Sequence, residues 1–401
     1  MAGGTGPTPT GSADRIDELD VLRGFALFGV FIIHFVGSGF YDLPIGDAQR
    51  DLFRESTANN IALFAVEWLI YDKFNTLFAM LFGAGFWVMM ERLERRGDDF
   101  TRIYLRRLLA LFAIGMINLA LFFPGDVLHE YAAIGLVLFL LRKMPLIAFL
   151  VVGLIFALLG EPIGFHVVPG VSDAYASFDT MRAEAFAQGA YWPWVEAMFT
   201  GHVWREIAQG TVVGWALYIF GRFLLGAWII RKGWIQRAGE LLPQIRKLAM
   251  IALPLGLGIE MFAMAVYEEW IAPPEGLADM AHYFGALVLA VGYGAGLIAL
   301  FHSRGRALAG FFAPVGKIAL TAYVLHGIVF LLLYYPFTLG LAGKLAPIAA
   351  LGIGLAVFAL MTLAASWWLA RYRFGPLEYL WRWATYGKRP QFVLAPDRAA
   401  A

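Results

Sequence analysis

The stretch LDVLRGFALFGVFIIHFVGSGF, residues 19–40, decides the fold class of this chain. A helix needs about 20 apolar residues to cross the hydrocarbon core of a bilayer, and this run supplies them with few polar interruptions. A secretory signal would begin with basic residues and end at a small-residue cleavage site. What precedes the run is different: Met1 to Glu18 is rich in Gly, Thr, Pro and Ser and then turns acidic. Residues 1–18 therefore read as a disordered tail, and 19–40 as a helix that stays in the membrane.

Composition extends that reading to the whole chain. Of 401 residues, 60% are hydrophobic and only 15% charged, with a mean hydropathy of +0.67; a soluble domain carries about a quarter charged residues. Lys plus Arg total 31 against 30 Asp plus Glu, which leaves no concentrated basic surface for nucleic acid. Cysteine is absent. Disulfides, thiolate metal sites and cysteine nucleophiles go with it.

Further apolar runs near 74–91, 104–123, 127–141, 145–160, 211–230, 248–270, 281–301, 312–335 and 345–370 read as spans. Ile61 to Tyr71 is too short to cross and reads as an interfacial piece or a re-entrant lead into the second span. Cations fix the orientation. Arg92, Arg95, Arg96, Arg102, Arg106 and Arg107 fill the second connection, and the fourth, sixth and eighth are basic too. Odd connections carry fewer cations, with Arg50, Arg54, Lys73, Arg182 and Arg205 as exceptions. The expected fold is all-α and integral to the membrane: a bundle of about ten transmembrane helices with both termini cytoplasmic. One membrane domain covers 19–370, with a long external segment at 161–210 whose Trp192, Trp194 and Trp204 suit the headgroup level. Residues 371–401 form a cytoplasmic C-terminal segment.

Polar groups within spans are costly, so each calls for an explanation. Arg23 sits near the inner end of the first span, with Asp20 at i,i+3 spacing to pair with it. His34 lies roughly 16 Å further along the axis. A cytoplasmic arginine could anchor the phosphates of an acyl-CoA while its thin pantetheine arm reaches a deeper histidine. The plainer alternative is an arginine that snorkels to the headgroups and a histidine that packs. His326, in the ninth span, lies roughly 21 Å from the inner end if that span is continuous. Two imidazoles at a similar depth could share proton handling, and a buried neutral imidazole can act as a base. Each could equally bond a neighbouring carbonyl. Asp126, at the outer mouth between the third and fourth spans, could orient an acceptor hydroxyl or a histidine. His129-Glu130 lacks the second histidine of H-E-x-x-H, since Ala133 stands there, so no metal is expected. Gly83-Ala84-Gly85 and Gly292-Tyr293-Gly294-Ala295-Gly296 follow no strand and read as close helix packing.

Several segments together resemble a known family. They are Leu19 to Leu27, Lys73 to Phe86, Gly125-Asp126 with Tyr131, Gly221 to Gly226, and Gly375 to Arg382 with Thr385-Tyr386-Gly387. The set covers nearly the whole chain and is similar to the YeiB-like family of bacterial inner-membrane proteins. That family in turn resembles the transmembrane acyltransferases, which include acyltransferase-3 and heparan-α-glucosaminide N-acetyltransferase. Arg23 with His34 fits the R-x10-H pattern of acyltransferase-3, whereas YeiB-like proteins usually carry Asn at the place of His34. Tyr323-Val324-Leu325-His326 resembles a Y-x-x-H element of acyltransferase-3, where many YeiB-like proteins have Gln or Asn.

The resemblance implies a multi-pass protein of the bacterial inner membrane that moves an acyl group, acetyl for example, from cytoplasmic acyl-CoA to an outer acceptor. The acceptor would be a hydroxyl or amine on a glycan or lipid. Arg23, Arg106 and Arg107 would hold the donor's phosphates. His34 would take the acceptor's proton, with His326 or Asp126 orienting it. A homodimer is implied by the resemblance and by general symmetry priors. Two other classes fit the same residues: a small-metabolite transporter or channel, and a non-catalytic lipid- or partner-binding membrane protein.

Overall fold

In hydrocarbon a backbone must satisfy its own hydrogen bonds, so spanning segments of this composition become helices. The computed structural model describes residues 16–394 except 98, 169–170, 205–209, 211, 273 and 275; of the expected tail, residues 1–15 lie outside that range. Each expected span but the ninth falls on a single helix, and the ninth is divided between two. In chain order the helices are α1 (Asp17–Ile32), which continues as a π-helix over Ile33–Asp42, then α2 (Asp47–Arg54), α3 (Thr57–Leu69), α4 (Lys73–Arg95), α5 (Phe100–Leu121) and α6 (Leu128–Leu140). There follow α7 (Leu146–Val167), α8 (Val171–Ala187), α9 (Tyr191–Gly201), α10 (Val212–Arg231), α11 (Leu242–Tyr267) and α12 (Leu277–Phe301). The last are α13 (Arg306–Gly310), α14 (Ala313–Lys317), α15 (Ala319–Tyr334), α16 (Pro347–Leu369) and α17 (Pro376–Tyr386).

By length and composition, eight stretches among the described residues can cross a membrane, or nine with α14 and α15 as one bent span. The expected fourth span is α6, whose 13 residues rise only about 20 Å, short of the roughly 30 Å core. Ile61–Tyr71 does not stand apart as a separate interfacial piece. Ile61–Leu69 belongs to α3, which leads through Ile70 and Tyr71 into α4 as a single 39-residue stretch, Thr57–Arg95. The expected fifth span ends too early, because α7 runs on through Pro162 to Val167. Glu161 is thereby a residue of the span and not of the long connection after it, which holds α8 and α9.

Burial sorts centre from periphery. In α1, 78% of the apolar window is buried, against 22% in α7 and 28% in α16. On the outer helices Val151, Ile155, Met250, Leu360 and Leu363 are exposed, which in lipid is a solvated surface and in water would be a liability. Glycines bring the central helices together. A Cβ at Gly24 would overlap the Phe312 carbonyl, and one at Gly316 the Asp20 carbonyl, so α1 and α14 touch backbone to backbone. Gly83 and Gly226 do the same for α4 and α10, and Gly292 packs against Leu253 of α11, as the glycine runs imply.

The ninth span is not continuous. α14 and α15 meet at Ile318 with a bend of 82°, so the depth of His326 must be counted from Ala319, about 10 Å, and not from residue 312. The break leaves the first amides of α15 without intrahelical acceptors, and α17 supplies one. Glu378 Oε1 accepts from Leu320 N at 2.6 Å and Thr321 N at 3.1 Å, while Thr321 Oγ1 donates to Oε2 at 2.6 Å. Burial pushes the Glu378 carboxyl above its ordinary range, against the pull of these bonds. A raised native value means that charging this group costs stability as pH climbs from the ordinary carboxylate range through the raised one. Glu378→Ala strands buried donors and should cost about 3 kcal/mol, read as a lower unfolding midpoint in detergent. A midpoint equal to wild type would show that α15 does not depend on this cap.

Candidate functional site

Immediately before His34, α1 changes from α- to π-helical geometry. Such segments are rare and often mark functional positions, because a wider turn re-aims side chains that an α-helix would hold elsewhere. Here it delivers His34 to α15. His34 Nδ1 lies 2.6 Å from His326 Nε2, and the rings stack at 4.8 Å with 16° between planes. Phe31 and Phe123 pack on His326, and Phe123 on His34, so the pair has apolar walls. His326 is buried and His34 only partly so. Each neutral imidazole has one N–H, so a single proton occupies the shared bond. The Tyr323 carbonyl, one turn before His326, gives that ring an acceptor. With the His326 proton on Nδ1, Nε2 accepts from His34 Nδ1–H, and His34 Nε2 keeps a free lone pair.

The arginines expected to hold a donor sit at the opposite end of α1. Arg23 Nη1 is 3.4 Å from Asp20 Oδ1, and its Nη2 lies where a Cβ on Gly85 would come within 3.2 Å. A side chain at position 85 would crowd the guanidinium. Arg107 lies 3.5 Å over the Trp381 ring, while the Trp381 indole donates to the Arg107 carbonyl at 2.9 Å. Arg23 and Arg382 are both close enough to repel Arg107 electrostatically. Arg106 reaches Gly387, just past the end of α17. The structure thus gathers Arg23, Arg106 and Arg107 around the C-terminal helix and adds Arg382 to the group.

Asp126 is buried, and its hydrogen bonds run to α5 and α6 and not to the histidine pair. It accepts from Asn118 Nδ2 at 2.8 Å and Leu128 N at 3.1 Å, and His129 Nδ1 lies 3.3 Å away. It caps α6 and holds His129, whose ring packs edge-on to His202. Asp126 is nonetheless one residue layer from the pair, since Tyr323 packs edge-on against His326 and accepts from Val127 N at 3.2 Å.

Residues 229–388 match a family described as "Protein of unknown function (DUF418)". Over 94% of its length the chain is 29% identical to uncharacterized protein YxaH of Bacillus subtilis, covering 96% of that protein. It is also 29% identical to uncharacterized protein YeiB of Escherichia coli, over 93% of this chain and 96% of YeiB. The chain is similar to both along almost its whole length.

The chain holds a second polar centre that the sequence reading passed over. The N-terminal ends of α4, α10 and α12 meet the C-terminal ends of α7 and α11, at the end of the bundle away from Arg23. Lys73, fully buried, pairs with the fully buried Glu260 at 2.7 Å and donates to the Glu67 carbonyl at 2.8 Å. As the first residue of α4 it stands where the helix dipole disfavours a cation, so Glu260 has to compensate it. His282 Nδ1 lies 3.1 Å from the same carboxylate. Arg222, mid-way along α10 and fully buried, donates to Thr76 Oγ1 at 2.7 Å and to the Ala157 carbonyl at 3.0 Å. Asp72 accepts from the Tyr218 hydroxyl and holds a positive φ of 64°, a conformation that costs a non-glycine residue energy and clusters at functional sites. The signal was present in the sequence: Glu260 and Arg222 are ionisable residues inside apolar spans. Lys73 stood out only as an exception to the charge rule.

Proposed function

We propose that the protein is an acyltransferase of the bacterial inner membrane, working from acyl-CoA on the cytoplasmic side to a hydroxyl or amine of a glycan or lipid on the outer side. The observation that carries this reading is the His34–His326 pair, which leaves one imidazole nitrogen free at a partly open position in an otherwise apolar bundle. Arg23, Arg106 and Arg107 hold the donor's phosphates by charge-assisted hydrogen bonds; for Arg23 the resemblance of Arg23 with His34 to the R-x10-H pattern of acyltransferase-3 supports that placement. The acceptor oxygen or nitrogen attacks the thioester carbonyl while His34 Nε2 takes its proton. The C–S bond breaks, and the proton passes to the departing CoA sulfur. His326 is the positioning residue: it fixes the His34 tautomer and stabilises the imidazolium, the role a third group has in a catalytic triad. Asp126 shapes the outer approach through α6 and Tyr323.

The first test is ligand-dependent stability. A ligand that binds only the folded protein raises its unfolding midpoint by mass action. Acetyl-CoA or a longer acyl-CoA should raise the midpoint of the detergent-purified protein, and Arg23→Ala should cancel the rise. No rise with any acyl-CoA would overturn the donor assignment. The buried charges around Lys73 favour a second reading, transport of a small solute. Uptake into proteoliposomes lacking acyl-CoA would establish it.

Orientation is testable against a background free of thiols, since the chain has no cysteine. Glu94 and Gln188 are both exposed. In intact cells Gln188→Cys should react with an impermeant maleimide and Glu94→Cys should not. The reverse pattern would place the termini outside.

A further inference from the structure

The polar centre around Lys73 opens into a cavity of about 370 Å³ lined by Glu67, Asp72, Glu161, Trp215, His282 and Tyr283 among others. That is near the small end of the range for ligand pockets. Its walls combine two features. Trp215, Tyr71, Tyr267 and Tyr283 present aromatic rings to it. The carboxylates of Glu67, Asp72 and Glu161 face it as well, with Glu260 directly behind.

A charge count separates this place from a merely structural ion-pair network. Lys73 is matched by Glu260 at 2.7 Å, and Arg222 faces Asp72 at 3.9 Å. His282 stands against Glu260 at 3.1 Å and Asp72 at 3.8 Å; among the described residues Glu67 and Glu161 make no ion pair within 4 Å, and Lys73, Arg222 and His282 act on them only from farther off. The visible partners of these two carboxylates are neutral hydroxyls: Tyr283 donates to Glu161 at 2.7 Å, and Tyr41 bonds Glu67. Hydroxyl donors satisfy oxygen lone pairs without cancelling charge, and uncompensated carboxylates in a low-dielectric bundle are expensive. Behind the cavity wall, Arg222 Nη2 is fully buried and faces Asp72 at 3.9 Å, so the Asp72 charge is already matched and a ligand's charge is left to Glu67 and Glu161. Asp72 itself sits in the strained left-handed region.

We infer that this cavity is a binding site for a small organic cation, an ammonium-bearing molecule that enters from the end of the bundle opposite the arginines. The ammonium sits between Glu67 and Glu161 and over the faces of the aromatic rings, where cation–π attraction adds to the charge pairing. An anionic ligand would meet the carboxylates and be repelled. The site contains neither His34 nor His326, so the inference stands or falls independently of acyl transfer.

The test is equilibrium binding by calorimetry and by unfolding midpoint, on the full chain in detergent, without acyl-CoA. The probes are choline and ethanolamine, each against an uncharged counterpart of similar shape, 3,3-dimethylbutan-1-ol and ethylene glycol. At least one ammonium compound should bind saturably, and its neutral counterpart should bind about tenfold more weakly or not at all, a difference of about 1.4 kcal/mol. Glu161→Gln keeps the side chain's shape and a bond to Tyr283, and should weaken ammonium binding about tenfold; Glu67→Gln should do the same. Both variants should keep the wild-type midpoint without ligand, which separates lost binding from lost fold. Absence of binding by both ammonium compounds, equal binding of the neutral counterparts, or undiminished affinity in both folded variants would overturn the inference.

Discussion

His34→Ala should abolish acyl transfer while leaving acyl-CoA binding and the unfolding midpoint near wild type. General-base catalysis contributes about 10²–10⁴ in rate, so the expected loss in kcat is about a thousandfold. The donor's affinity should hardly change, because Arg23 and its neighbours sit at the far end of α1. His326→Ala should cost less, about tenfold to a hundredfold, since it removes the group that orients the base and not the base itself. The two losses should not add when combined, as neighbours acting through one hydrogen bond are coupled. A merely packing role for His326 would lower the midpoint without moving the pH profile of the rate; a positioning role should shift that profile. Undiminished turnover in His34→Ala would remove the imidazole from the mechanism.

The largest stability effect is expected at Lys73. Removing one partner of a buried ion pair costs about 3–5 kcal/mol because the other charge is left uncompensated. Lys73→Ala should lower the unfolding midpoint accordingly, with Glu260 stranded at full burial and His282 its remaining neighbour. The double variant Lys73→Met with Glu260→Gln should recover most of that loss, since neutral groups of similar shape end the electrostatic penalty. A single variant within about 1 kcal/mol of wild type would mean that the pair is not a charged one.

Much of the architecture was legible in composition. Lipid as solvent demands long apolar runs, and these were visible wherever a span faces the bilayer or the bundle centre. Boundaries failed where a helix ignored the usual punctuation, as α7 does at Pro162, or where an apolar stretch broke in the middle, as at Ile318. A bend of that kind leaves no hydrophobicity signal, because Pro314 and Gly316 are compatible with a packed helix as well as with a break. The histidine pair was legible as two residues at similar depth, yet its contact depends on a π-helical turn that sequence does not announce. Asp126 reads as a carboxylate able to orient an acceptor hydroxyl or a histidine; in the fold Asn118, the α6 backbone and His129 share it, which residue spacing alone does not single out. The Lys73 centre draws on α3, α4, α7, α10, α11 and α12, and no local motif joins those pieces.

The cap on α15 ties the finished molecule to the last part of its synthesis. Glu378 emerges from the ribosome only after the apolar stretches have been made, and domains generally take shape in the order of synthesis. A chain ending before Gly375 would have its full set of membrane helices, but the amides of Leu320 and Thr321 would lack their acceptor and Arg107 would lack the Trp381 ring. His326 lies two turns along that same helix, so its seating against His34 waits for the final segment. Prematurely ended copies would be inserted yet locally unstable near the break, where opening exposes backbone to membrane proteases. The last helix made is thereby the one on which the seating of an earlier helix depends.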